Sequence, residues 1–120
     1  MDNAIHLTGN MTRDAELRFS NSGQAVASFG LAINNRRKNA STGEWEDTDP
    51  GFYDVTCFGT LAENVAESLE RGMRVTLNGK IDYQSWEKDG ERRSKIVVIA
   101  DAVGPDLRWA TAKVERTQSS

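Results

Sequence analysis

The sequence contains one cysteine, Cys57, and one histidine, His6, in 120 residues. A disulfide framework, a Cys/His zinc site and a histidine-based triad therefore each lack their parts, and a single thiol fits a reducing compartment. No apolar run approaches the roughly 18 residues of a membrane span, and Met1 to Asn10 has neither the basic start nor the apolar stretch of a signal peptide. A soluble, cytoplasmic chain is expected, with no metal, no cofactor and no membrane partner. A basic excess is missing as well: 15 Lys and Arg stand against 18 Asp and Glu, a net charge of -3, so an anionic partner must be held by local patches. No P-loop, HExxH pair or Gly-x-Ser-x-Gly elbow occurs, no segment repeats at a fixed period, and no enzyme is expected.

What is there is an ordinary globular composition, with apolar residues and glycine together making 53 of 120. Turn-rich stretches interrupt the apolar pattern about every ten residues, which favours short strands. Ala4 to Thr8 puts Ile5 and Leu7 on one face, and Ala15 to Phe19 is a second extended piece before the turn Asn21-Ser22-Gly23. From Gln24 to Ile33 the odd positions Ala25, Ala27, Phe29, Leu31 and Ile33 make one apolar face. Asn34 to Gly51 is polar, with Arg36-Arg37-Lys38 near one end and four acidic residues near the other, and reads as a long hairpin loop. In Phe52 to Phe58, Tyr53, Val55 and Cys57 suit a core, whereas Phe52, Asp54, Thr56 and Phe58 interleave aromatic and polar groups on the opposite face.

One helix is expected after Gly59, with Thr60 and Glu63 as a capping box, an apolar stripe through Leu61, Ala62, Val65, Ala66 and Leu69, and Gly72 as its stop. Met73 to Trp86 returns to strand character around Asn78-Gly79. A bulged, bent strand accounts for that glycine better than a hairpin turn, because cutting there leaves only about four residues per strand. Glu87 to Glu91 is a turn, Arg92 to Ala100 the last long strand, and Gly104-Pro105 ends regular pairing.

A single helix before the last two long strands matches an OB fold, an all-β five-stranded Greek-key barrel with a helix between strands 3 and 4. A parallel α/β fold needs more helices and an immunoglobulin-like sandwich about seven strands. The expected division is an OB domain over 1–104 and a C-terminal extension over 105–120. In an OB fold the ligand face is built from strands 2 and 3 with neighbouring loops. That places Phe52 and Phe58 on it, together with the hairpin carrying Trp86, Lys88, Arg92, Arg93 and Lys95.

Several short motifs stand in a specific order: Gly9-Asn10, Glu16-Leu17-Arg18-Phe19, Ala25-Val26-Ala27, Cys57-Phe58-Gly59, Leu61-Ala62-Glu63 and Arg71-Gly72. In that order the chain resembles bacterial single-stranded DNA-binding proteins of the SSB family over nearly its whole length. Residues 104–112 are similar to actinobacterial members, in which this segment adds a strand that clasps a neighbouring subunit. The resemblance implies a homotetramer that binds and protects single-stranded DNA without sequence preference during replication, recombination and repair, and that associates with the nucleoid when bound. Phe52, Phe58 and Trp86 match the family's stacking positions, with Trp45 as an auxiliary candidate. Arg36, Arg37, Lys38, Arg71, Arg92, Arg93 and Lys95 are candidate phosphate contacts. Ile5, His6, Leu7, Leu107 and Trp109 are candidate interface residues.

The chain departs from the family at Arg37, where several relatives carry a stacking tryptophan, and at Asp82, Gln84, Ser85 and Asp54 on or near the binding face. The acidic, apolar tip through which family members recruit replication and repair proteins has no counterpart in Gln118-Ser119-Ser120. The residues alone leave other readings open. Phe52 and Phe58 suit a second apolar layer equally well, and Arg36-Arg37-Lys38 suits a solvated loop paired with its acidic neighbours. At the level of function, the alternatives are an accessory OB module acting through protein partners, an RNA-binding chaperone, and a nuclease using Asp54, Asp82 and Asp101.

Overall fold

The computed structural model describes residues 3–34, 36–47 and 51–117. Eight strands and one helix follow in order: β1 (Ala4–Met11), β2 (Glu16–Phe19), β3 (Ala25–Ile33), β4 (Arg36–Lys38), β5 (Trp45–Asp47), β6 (Gly51–Phe58), α1 (Thr60–Ser68), β7 (Arg74–Lys88) and β8 (Glu91–Pro105). The alternating apolar positions of β3 and β6 turn to one side. Phe29, Leu31, Val55 and Cys57 are fully buried there, joined by Val75, Leu77 and Val98 from β7 and β8. Burying a side chain such as Phe29 contributes up to about 3 kcal/mol, and this layer is the core that specifies the register of every strand around it. Burial also pushes the Cys57 thiol up to about 11, so it stays protonated and inert, a small apolar filler.

Pairing runs β1-β7-β8-β6-β3, and β3 returns to β1 through Asn10–Ala32 and Met11–Leu31. Five strands thus close a ring, β2 extends the sheet along β3, and β4–β5 make a separate two-stranded ladder inside the predicted 34–51 loop. The helix lies between the third and fourth strands of the ring, as the element order requires for an OB fold. Among the described residues the β6–β8 pairing is the one parallel contact, which is where the intervening helix is needed as a crossover.

The expected bulge is present. Register shifts at Asn78/Gly79, where Gly79 pairs with Ala100 and Asn78 with Ala102, so Asp101 is the extra residue. A Cβ on Gly79 would lie 2.9 Å from the Ala100 backbone; the absent side chain lets the two strands bend tightly together. Beyond this bend β7 and β8 outrun the expected ends, to Lys88 and from Glu91, because a two-residue turn joins them without loss of pairing.

The helix ends differ from the expected ones. Gly59, with φ 69°, is the N-cap, so Thr60 stands at the first helical position, one residue after the cap and not at it as the motif implied. The left-handed residue turns the chain out of β6 one position earlier than the capping motif implied. At the other end the helix stops at Ser68 and Leu69 turns extended, because Leu69 is drawn into the core. Gly72 instead serves the following turn, where its N–H donates to the Met11 carbonyl at 2.9 Å.

Candidate nucleic-acid interface

Period-2 alternation on β6 sends Phe52, Asp54, Thr56 and Phe58 outward while Val55 and Cys57 fill the core. Phe52 is 71% exposed and Phe58 41%, which rules out the second apolar layer as their environment. They stand six positions apart, about 20 Å along the strand. Their neighbours across β3 are Ala32 and Val26, and the neighbour of Asp54 is Gly30. Small partners leave the rings standing above the sheet.

The same face continues onto the β7–β8 arm. Val97 pairs with Asp54 on one side and Asp82 on the other, and Trp86 is four residues beyond Asp82. Trp86 therefore shares the outer face with Gln84 and Lys88 and, across the ladder, with Arg93, Lys95 and Glu91. Past Ile81 and Val98 the arm leaves the core, and Trp86 is 41% exposed on it. The turn at its tip has Asp89 at φ 53° and Gly90 at φ 79°, the left-handed pair of a type I′ hairpin.

The structure sorts the cationic candidates. Arg93 and Lys95 lie on the face of Trp86, with Arg93 3.4 Å from Glu91. Arg92 lies on the opposite face with Tyr83 and Ile96, and donates to Ser85 Oγ at 3.2 Å. Lys38 is exposed across β4–β5 from Trp45, itself exposed. Arg36 and Arg37 belong to β4, but their side chains lie outside the described residues. Arg71 sits in the turn after α1, its backbone N–H donating to Asp14 Oδ1 at 2.8 Å, beside the β1–β2 loop.

Two cations on this surface escape a reading by sequence position. Arg18 on β2 pairs with Val26, which pairs with Phe58, so the three form one outward row. Arg13, in the β1–β2 loop, places Nη1 3.7 Å from Asp54 Oδ1. The signal that points to Arg13 is Gly30, a glycine on the outer face of a central strand, where only an absent side chain lets the loop lie close. Asp82, a further carboxylate of this face, accepts from Gln84 Nε2 at 3.1 Å. Among the described residues no group of three His, Cys, Asp or Glu side chains could hold a metal ion, so Asp54, Asp82 and Asp101 do not converge as the nuclease reading requires.

The candidate interface residues divide as well. Leu7 is buried in the core and Ile5 packs against it, so of these three candidates on β1 only His6 presents its side chain outward. His6 lies beside Asn78 and Thr76 on β7, and Thr8 Oγ1 donates to Thr76 Oγ1 at 3.0 Å. Leu107 and Trp109 are exposed in a segment that forms no strand within this chain. Arg74 and Arg108 lie 5.1 and 4.8 Å from the Trp109 ring centroid, and Arg74 Nε donates to Asp106 at 2.7 Å. That hydrogen bond, together with one from the Arg108 backbone, holds Asp106 below its ordinary 3.8. A groove of about 840 Å³ runs between α1, the start of β7 and residues 109–117. The exposed rings Phe52, Phe58 and Trp86 lie elsewhere, on an open sheet face.

Comparison with known proteins agrees with this architecture. The model of the single-strand binding protein family matches residues 2–106. The chain is 46% identical to the single-stranded DNA-binding protein of Mycobacterium tuberculosis (strain ATCC 25618 / H37Rv) over 120 residues, 99% of this chain and 73% of that one. It is 47% identical to the Corynebacterium glutamicum protein of the same name over 117 residues, 97% of this chain and 52% of the other. Among solved structures, the small single-stranded DNA-binding protein of Streptomyces coelicolor superposes with a TM-score of 0.74 at 26% identity, covering 88% of this chain and 95% of that one. A deletion mutant of the Thermus aquaticus single-stranded DNA binding protein does so with 0.76 at 30% identity, covering 88% and 51%. With its ring of strands, its single crossover helix and this match over most of its length, the chain belongs to the single-strand binding protein family.

Proposed function

We propose that the chain binds single-stranded DNA without reading its sequence and protects exposed strands in the cytoplasm during replication, recombination and repair. The observation that carries this reading is the outer sheet face, where Phe52, Phe58 and Trp86 stand exposed among Arg13, Arg18, Arg93 and Lys95. Every base has a flat face, so stacking on such rings contributes about 1 to 3 kcal/mol per base whatever its identity. The cations follow the backbone by releasing its condensed counterions. Duplex DNA hides its base faces and gains nothing from the rings. No step of this activity makes or breaks a covalent bond.

The acting form in this reading is a homotetramer. Along Ala4–Gly9, β1 pairs with β7 on one edge only, since it meets β3 at just Asn10 and Met11. An unpaired edge is a ready template for a second copy. Leu107 and Trp109 provide exposed apolar surface for a further contact between copies. Because Ile5 and Leu7 are committed to the core, β1 contributes its backbone edge and His6 to such contacts.

The test is a titration of oligo-dT of several lengths, followed by tryptophan fluorescence at two salt concentrations, with duplex DNA and an RNA oligomer as competitors. Quenching by the single strand alone, at a fixed ratio of nucleotides to tetramer and weakened by salt, is expected. Absence of binding at low salt overturns the reading, and preference for the RNA oligomer reassigns the ligand. Light scattering on the free protein checks the tetramer.

A further inference from the structure

Asp54 stands where a bound strand would meet it, facing outward between Phe52 and Phe58. A carboxylate there repels phosphate, and covering it without a counter-charge is costly. The chain brings the counter-charge from another element. The β1–β2 loop lies over β3 at Gly30, so near that a Cβ on Gly30 would meet Thr12 Oγ1 and come within 2.8 Å of Arg13 Nη1. From that seat Arg13 Nη1 reaches to 3.7 Å of Asp54 Oδ1, and both side chains stay about half exposed (48% and 51%). At that separation the pair is a Coulombic contact and not a hydrogen bond. The guanidinium carries five N–H donors, and this contact commits none of them.

We infer that Arg13 is a phosphate-binding residue of this interface: it neutralises Asp54 in the free chain and donates to a backbone phosphate when a strand lies across Phe52 and Phe58. The inference rests on the single-strand reading above. The exchange is favourable because the contact given up is loose and solvent-screened. The one gained is a charge-assisted hydrogen bond with release of a condensed counterion. Gly30 keeps the loop low enough for the guanidinium to reach the path of the strand.

The experiment measures oligo-dT affinity from 50 mM to 1 M salt for the wild type, Arg13→Ala, Arg13→Lys, Asp54→Asn and Gly30→Ala, with thermal melting as a check on folding. For Arg13→Ala the slope of log affinity against log salt falls in magnitude by about 0.7, which costs about eightfold in affinity at 50 mM relative to 1 M. Arg13→Lys keeps the wild-type slope. Asp54→Asn keeps the slope and tightens binding, because the competing acid is gone. Gly30→Ala lifts the loop and moves toward Arg13→Ala. An Arg13→Ala protein with the wild-type slope overturns the inference while leaving the single-strand reading in place, even if its affinity or melting temperature falls, since that pattern marks a structural role alone. Weaker binding by Asp54→Asn also overturns it. A wild type that does not bind oligo-dT overturns both.

Discussion

Phe52 and Trp109 are equally exposed, at 71% each, yet their surroundings give them opposite prospects. Phe52 rises from a strand whose neighbour across the ladder is Ala32, so its ring has open faces and a rigid base. Trp109 lies in an irregular segment with two guanidiniums already over its ring, at 4.8 and 5.1 Å. A base stacking on Trp109 would displace cations that are themselves attracted to the ring, whereas a base stacking on Phe52 displaces only water. Exposure alone therefore does not mark a binding aromatic. What marks one is an exposed ring held by regular structure with no cation over it, and among the described residues Phe58 and Trp86 share that condition.

The largest effect that separates the two regions comes from truncating their rings. Phe58→Ala or Phe52→Ala is expected to weaken oligo-dT binding by about fivefold to 150-fold, the equivalent of 1 to 3 kcal/mol. Each should do so for dT, dC and dA oligomers alike, with little change in melting temperature because neither ring is in the core. Trp109→Ala should leave affinity per tetramer within about twofold, by the same stacking argument. Equal losses at Phe58 and Trp109 would break the comparison, and loss for one base alone would remove Phe58 as a general platform.

A smaller effect tests whether sheet face decides function on the β7–β8 arm. Arg93→Ala with Lys95→Ala removes two cations beside Trp86 and should lower the magnitude of the salt slope by about 1.4. Arg92→Ala, on the other face and hydrogen-bonded to Ser85, should leave the slope at the wild-type value. A matching decrease for Arg92→Ala would mean that the strand wraps both faces of the arm.

These contrasts also show how far the chain's chemistry could be read before its geometry. The alternation in residues 25–33 and 52–58 gives the core and puts Phe52 and Phe58 together on the opposite face, because a strand's two faces are fixed by a period of 2; that this face is open came only from the structure. Gly79 announced its bulge for a similar reason, since few other devices put glycine inside a long strand. The division of Arg92 from Arg93 was also within reach. A two-residue Asp89-Gly90 turn pairs position 88 with 91, and hence Trp86 with Arg93. Arg13 was missed, because its role depends on a loop crossing a strand seventeen positions later and an Arg-Asp dipeptide in a loop reads as solvated charge; Gly30 was its one trace in the sequence. The position of Leu69 was missed because an apolar stripe at helical spacing continues through it, while the core takes it in extended form.

The smallest effect concerns what keeps Trp109 occupied. Asp106 anchors Arg74 by a 2.7 Å hydrogen bond, and Arg74 in turn covers the ring. Because this pairing lowers the Asp106 carboxyl below 3.8 in the folded chain, its contribution is fully present above that value and is lost as pH falls through the depressed one. In a protein whose tryptophans at 45 and 86 are replaced by phenylalanine, Trp109 emission should hold steady from neutral pH down to about 4, then change as Asp106 takes up its proton and Arg74 is released. Asp106→Asn should show the acid signal already at neutral pH and no further transition. If emission in Asp106→Asn matches the wild type at neutral pH, the Arg108 contact alone orders the ring. Trp109 would then differ from Phe52 by its irregular segment and not by the ion pair beside it.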